Sequence, residues 1–200
     1  MISSVHADAF VEQTAPRCVG VRKAVMHDIQ PILDLINGNA AKGVMLPRTE
    51  FELSEAIRDF TVVTANDQLL GCGALHFYTP TVGEIRSLAV AEGAKTRGVG
   101  RRLVQALVLE AQEYELDAVF AFTYVVEFFS KVGFRVVERG ALPLKAWKDC
   151  VRRPKFRACD EIAVLRVLRP GRWLPSAQFG SQINHSLEDG FIVLPTPRTP

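Results

Sequence analysis

Glu84-Ile85-Arg86-Ser87-Leu88-Ala89-Val90, followed four residues later by Lys95-Thr96-Arg97-Gly98-Val99-Gly100, is the stretch that decides how this chain is read. An apolar strand runs into a glycine turn, and the turn opens a helix. Such a turn leaves backbone N–H groups without intrahelical partners, all pointing at one spot. The helix dipole adds partial positive charge there. The result is a cradle for a phosphate or pyrophosphate, and the two glycines let a ligand approach the backbone without interference from Cβ. A glycine pair taken alone also fits an ordinary, tightly packed helix start, so the surroundings decide. The helix after the turn is one-sided, with Val99, Leu103, Ala106, Leu107 and Ala111 at three- and four-residue spacings. A second apolar strand follows, Ala118 to Phe122, and then a short aromatic helix ending in Gly133-Phe134. No Gly-Lys-Ser/Thr follows the glycines, which excludes a P-loop. A third glycine and a downstream ribose acid are missing, which excludes a dinucleotide fingerprint.

Composition sets the outer bounds. Two hundred residues, 48% apolar and 23% charged, suit one soluble domain with a full core. A net charge of +2 argues against nucleic-acid or membrane-surface binding. No apolar run of membrane-spanning length is present. The first 18 residues lack a basic start and an apolar centre, so a cytoplasmic location is expected. Cys18, Cys72, Cys150 and Cys159 read as reduced thiols. Their spacing, with no histidine nearby, predicts no metal site.

Along the chain, residues 1–18 read as an arm, 19–169 as the domain and 170–200 as a tail. The tail's apolar residues, among them Trp173 and Phe179, suit packing on the domain or on a partner subunit, which leaves room for a homodimer. The expected elements are a strand over 19–25 and a helix over 27–36 that Asn37-Gly38-Asn39 ends. Thr49 and Glu52 form a capping box for a helix reaching Asp59. A hairpin follows, of 60–65 and 69–77 around Asn66-Asp67-Gln68. Pro80 precedes the Glu84 strand. Further strands are expected over 135–138 and 161–168, with a short helical piece at 144–150.

The succession of strand, Lys95-Thr96-Arg97-Gly98-Val99-Gly100, helix, strand, short helix and Gly133-Phe134 resembles the GNAT superfamily of acyl-CoA N-acyltransferases, from about Val19 to Leu168. Lys95 stands where that pattern has Gln or Arg. The resemblance implies an α/β fold with a mixed, mostly antiparallel, splayed sheet flanked by helices, and acetyl-CoA as co-substrate. It implies that Leu88, Ala89, Val90, Lys95, Thr96, Arg97, Gly98, Val99, Gly100, Arg101 and Arg102 hold the acyl-CoA, with a backbone N–H of Leu88 or Val90 on the thioester carbonyl. Many relatives place a tyrosine acid in the short helix, where this chain has Phe129, so that role does not carry over. Tyr124 is a poor substitute.

Four dispersed segments narrow the resemblance to the acetyltransferase domain of N-acetylglutamate synthases, in the short form without a kinase domain. They are Val44-Met45-Leu46-Pro47-Arg48-Thr49, Gly71-Cys72-Gly73-Ala74-Leu75, Glu84 to Val90, and Val119-Phe120-Ala121-Phe122-Thr123, with a looser match from Leu142 to Lys155. This implies acetyl transfer to the α-amine of L-glutamate by direct attack, at the head of arginine biosynthesis. Glu84 would be the general base, which needs burial to raise its basicity. The plainer reading of Glu84 is a carboxylate at a strand start, either solvated or paired with Arg86. Ser87 and Thr123 would donate hydrogen bonds or relay a proton, and otherwise read as core hydroxyls. Arg48 would grip a carboxylate of the acceptor through its guanidinium fork. Lys155 would grip the second carboxylate, with Arg86 and Lys145 in reserve. Glu84 and Ser87 are three apart, so a regular strand would point them to opposite faces, and a bulge would reconcile them. Rival readings are another amino acid or small amine as acceptor, glutamine among them, and an acyl-CoA sensor without catalysis. His76 reads as a cleft or surface residue, and Phe128, Phe129 and Phe134 as core.

Overall fold

The structure is a computed structural model that describes residues 19–138, 141–142 and 161–173. Lys145, Lys155, Cys18, Cys150, Cys159, the expected helical piece at 144–150, the arm 1–18 and most of the tail lie outside the described residues. Seven described strands form one sheet: β1 (Val19–Lys23), β2 (Phe60–Ala65), β3 (Gln68–Thr79), β4 (Val82–Val90), β5 (Ala118–Thr123), β6 (Arg135–Val136) and β7 (Ile162–Val167). Their order is β1-β2-β3-β4-β5-β7-β6. Every neighbouring pair is antiparallel except β4 and β5. The expected mixed, mostly antiparallel α/β sheet is therefore present. Among the described residues four α-helices accompany it: α1 (Ile29–Ala40), α2 (Glu50–Ala56), α3 (Val99–Glu113) and α4 (Val126–Lys131).

Alternation along β3 sorts the two faces. Cys72 and Ala74 join Ile29, Ile32, Leu33 and Ile36 of α1 in one core cluster. On the other face Leu75 packs with Val104, Leu107 and Val108 of α3. Glycine at 71 and 73 lets α3 come close. A Cβ at Gly71 would lie 2.9 Å from Val99 Cγ1, and one at Gly73 would lie 3.0 Å from Leu88 Cδ1 and 3.2 Å from Leu107 Cδ1.

Local chemistry places most boundaries where the sequence puts them. Thr49 Oγ1 accepts the Glu52 N–H, and the Glu52 carboxylate accepts the Thr49 N–H, so the capping box holds. Asn66 and Asp67 both take positive φ, giving a two-residue hairpin turn in which Gln68 already belongs to β3. One boundary needs correction. Asn37-Gly38-Asn39 does not end α1, which continues to Ala40. Asn39 Nδ2 donates back to Leu35 O, and Asn37 turns its amide outward to the α1–α2 loop. The left-handed stop is Gly43, at φ +74. Three strands are also shorter than expected: β1 stops at Lys23, β6 stops at Val136, and β7 spans Ile162–Val167. The helix expected to reach Asp59 is α-helical to Ala56 and continues as a 3-10 turn over Ile57–Asp59.

The approach to α1 is fixed by charge. Asp28 is 5% exposed and takes both guanidinium nitrogens of Arg22, at 2.6 and 2.9 Å, together with the Val25 N–H at 2.8 Å. The Arg22 guanidinium holds the Asp28 carboxyl below its usual range, with help from the Val25 N–H and against the effect of burial. We predict that Asp28→Ala lowers stability by about 1–3 kcal/mol, read from denaturant unfolding. A carboxyl held low stabilises the fold above its unfolded pKa, and that contribution disappears as pH falls through the folded value. The stability gap between parent and Asp28→Asn should be full at pH 6 and close as pH drops below about 3.9, the ordinary aspartate value.

Candidate active site

The site is made by a failure of pairing. Strands β4 and β5 pair through three residues only: Val82 with Ala118, Gly83 with Val119, and Glu84 with Phe120. Beyond that point β4 follows β3, and β5 follows β7. The sheet opens into a wedge with Glu84 at its vertex. A cavity of about 390 Å3 fills the wedge, and its lining brings together Arg48, Glu84, Arg86, Ser87, Leu88, Ala89, Val90, Lys95 and Thr123.

Glu84 is 7% exposed. Burial is at odds with the solvated form of the plainer reading and leaves the form paired with Arg86 in place. The bulge required by the Glu84–Ser87 spacing is present, and it lies at Ser87 itself. Cys72 opposes Ala89 and Ala74 opposes Arg86, so Ser87 and Leu88 together face Gly73. Ser87 adopts φ +53, the left-handed conformation that an extra residue in a strand accommodates. Leu88 keeps its place on the α3 face, against Gly73. Ser87 is freed from strict alternation, and its Oγ meets Arg48 Nη2 at 3.5 Å.

Arg48 comes from the loop between α1 and α2, just before the N-cap Thr49. Arg86 is largely covered, and Asp59 Oδ2 lies 4.0 Å from its Nη2. The same Asp59 oxygen is 3.1 Å from His76 Nδ1. His76 stands at the surface edge-on to Tyr78 rather than in the cavity lining. Thr123 ends β5, and its Oγ1 accepts the Val125 N–H at 2.9 Å, leaving its hydroxyl hydrogen available to the cavity it lines.

The glycine turn follows β4, and of residues 95–102 Lys95 alone is among those that line the cavity. Gly98, at φ +77, is the N-cap of α3, and no side chain caps the helix. The first helical bond runs from Arg102 N to Gly98 O, so the N–H groups of Val99, Gly100 and Arg101 precede the ladder. Nothing lies within 4 Å of a Cβ built on Gly98. Gly100 has another role. A Cβ there would sit 3.2 Å from Phe128 Cζ, so the glycine lets α4 close on α3. Lys95 reaches Glu92 at 2.8 Å and holds that carboxyl below its usual range. Thr96 takes φ +67 in the turn. Arg97 and Arg102 line a separate depression behind it. An uncapped helix start beside a half-paired strand suits an anionic ligand that also bonds to a strand edge.

Sequence reasoning missed Glu161. It is 6% exposed and lines the same cavity, because antiparallel pairing sets Ile162 beside Thr123. No local motif marks such a residue. Tyr124 lines the cavity at 47% exposure. Phe129 and Phe134 are core residues whose rings meet edge-to-face 5.2 Å apart, and Phe128 meets Phe129 edge-to-face at 5.3 Å. Among the described residues no cluster of three or more His, Cys, Asp or Glu side chains could hold a metal ion, and no helix is long and apolar enough to cross a membrane.

Cys72 lies under the bulge, fully buried, with its Sγ 3.8 Å from Ser87 O. Burial pushes its thiol up to about 12, so at neutral pH it is no nucleophile. Cys72→Ala should keep turnover within a few-fold of the parent; a loss of 10³-fold or more would mean that this sulfur carries the acyl group.

Comparison with known proteins agrees with this geometry. The model of the Acetyltransferase (GNAT) family matches residues 33–134. An uncharacterized N-acetyltransferase of Chlorobaculum tepidum is 40% identical over 74% of this chain and 96% of its own length. An amino-acid acetyltransferase of Mycobacterium tuberculosis is 35% identical over 66% of this chain and 77% of its own. The structure of N-acetylglutamate synthase from Neisseria gonorrhoeae, complexed with coenzyme A and N-acetyl-glutamate, superposes with a TM-score of 0.70 at 28% identity. That match covers 78% of this chain and 36% of the synthase.

Proposed function

The chain belongs to the acetyltransferase (GNAT) family, and from that premise we propose that it moves the acetyl group of acetyl-CoA to the α-amine of L-glutamate, in the cytoplasm, at the head of arginine biosynthesis. The observation that carries this reading is the buried Glu84 carboxylate at the wedge vertex, in one cavity with Arg48 and Arg86. Acetyl-CoA supplies an acyl carbon on a thiolate leaving group, and the amine nitrogen replaces sulfur on that carbon. Glu84 takes the proton that the amine sheds, directly or through one water. The N–H groups at the start of α3 receive the pyrophosphate, assisted by the Lys95–Arg102 turn. The β4 edge beyond Glu84, at Leu88 or Val90, donates to the thioester oxygen, where charge develops during attack. Ser87 and Thr123 present hydroxyls toward the departing sulfur.

Glutamate carries two carboxylates, and two guanidinium groups line the cavity. Arg48 grips one through its planar fork. Arg86, steadied by Asp59, is suited to the other, a role that the resemblance gives to Lys155. One observation favours a second acceptor. The carboxylate of Glu161 in the same cavity would accept a hydrogen bond from a side-chain amide and repel a second carboxylate, which is the preference of a glutamine acetyltransferase.

We predict that Glu84→Gln lowers kcat about 10²- to 10⁴-fold and leaves acetyl-CoA affinity, measured by calorimetry, nearly unchanged. Turnover equal to the parent's would remove Glu84 as the base. Arg48→Ala should raise the KM for L-glutamate on the order of 10- to 100-fold, the worth of a charge-assisted hydrogen bond, with the acetyl-CoA KM steady. A matched rise in both constants would mean that Arg48 does not read the acceptor.

A further inference from the structure

We infer that Asn37 is a positioning residue for acceptor recognition: its side-chain amide clamps the backbone of Arg48 and so aims that guanidinium at the Ser87 bulge. The inference rests on the reading of Arg48 as the acceptor's carboxylate grip. Asn37 Nδ2 donates to Arg48 O at 3.0 Å, and Asn37 Oδ1 accepts the Arg48 N–H at 2.9 Å. Both peptide units flanking the Arg48 Cα are thereby fixed to α1. Pro47 on one side has no N–H and a locked φ. Thr49 on the other side is tied into the α2 cap. Among the described residues, the loop positions 45–47 make no backbone–backbone hydrogen bond. The Val44 N–H reaches Asn39 O at 3.4 Å at the start of the loop, and the Asn37 amide ties its far end, at Arg48, to α1.

The amide is the right chemistry for this task. Only a side chain that both donates and accepts can satisfy the N–H and the C=O of one residue at once. Aspartate keeps the acceptor half and loses the donor, and alanine loses both. Asparagine is a poor helix former beside a still poorer Gly38, yet it occupies the last turn of α1. Held this way, the Arg48 backbone is fixed, and its Nη2 stands 3.5 Å from Ser87 Oγ. Without the clamp the backbone of a loop residue would wander, and a fork that must meet a carboxylate in plane tolerates little wandering.

The test is steady-state kinetics on the full chain with L-glutamate as acceptor, for Asn37→Ala, Asn37→Asp, Arg48→Ala and the double variant Asn37→Ala/Arg48→Ala. Alanine favours the helix, so Asn37→Ala is expected to fold, and an unchanged acetyl-CoA KM verifies it. Asn37→Ala should raise the L-glutamate KM about 10- to 30-fold, the range for the loss of one to two ordinary hydrogen bonds, with kcat little changed. Asn37→Asp should fall between parent and alanine. In the Arg48→Ala background, loss of Asn37 should add less than about twofold, because the clamp then has no guanidinium to aim. If Arg48→Ala raises the L-glutamate KM and Asn37→Ala does not, the clamp has no role in recognition and the inference is wrong. An equal rise in both backgrounds, or a joint rise of both KM values, also overturns it by making Asn37 a general packing residue. If Arg48→Ala itself leaves the L-glutamate KM unchanged, the reading of Arg48 fails first and takes this inference with it.

Discussion

The parting of β4 from β5 after the Glu84–Phe120 pair is the constraint on which the rest of the site depends. A sheet that stays paired to its ends has no room inside it. Here three parallel pairs hold the strands together, and beyond them each strand keeps its antiparallel neighbour alone, β3 for β4 and β7 for β5. The polar backbone beyond the vertex is left facing a cavity rather than a ladder. Such groups need partners, and a ligand with an extended polar chain can supply them. The wedge is also where the interior can hold Glu84, at 7% exposure, within reach of a substrate. Burial and access normally exclude each other, and the opened sheet supplies both.

Two local distortions finish the work of the wedge. The bulge at Ser87 uses an extra residue and a positive φ to turn a side chain that strict alternation would send toward α3. Gly73 makes room for it by putting no Cβ in the path of Leu88 and Leu107. After β4, α3 begins on a glycine at φ +77 with no side-chain cap. A capping side chain would occupy the very N–H groups that an anionic ligand needs. Both features sacrifice regular structure; Ser87 lies on the cavity, and the start of α3 follows the strand that lines it.

Much of this was readable from residues near one another in the chain. The capping box at Thr49, the Asn66-Asp67 turn, the one-sided α3 and the glycine turn are local signals, and each appears where expected. The need for a bulge was legible from the three-residue spacing of Glu84 and Ser87. Its position was not, because register depends on Gly73 in the neighbouring strand. Asn37-Gly38-Asn39 misled for a similar reason. Asparagine and glycine end helices when their side chains or backbones have only local partners. Here Asn37 is taken by Arg48, eleven residues away, and the helix runs on to Gly43's turn. Glu161 reaches the cavity only through the pairing of β7 with β5, which no window of sequence contains.

The measurement that bears most directly on this account is release of CoA from acetyl-CoA by the parent protein against a panel of amino acids and amines, with L-glutamate and L-glutamine side by side. The account predicts release with L-glutamate well above every other acceptor, in keeping with two guanidinium groups in the cavity. Preference for L-glutamine would keep the chemistry at Glu84 and replace the second cationic contact by Glu161. No release with any acceptor, alongside clear acetyl-CoA binding, would contradict the account, since the wedge would then hold the acyl donor without using the carboxylate at its vertex.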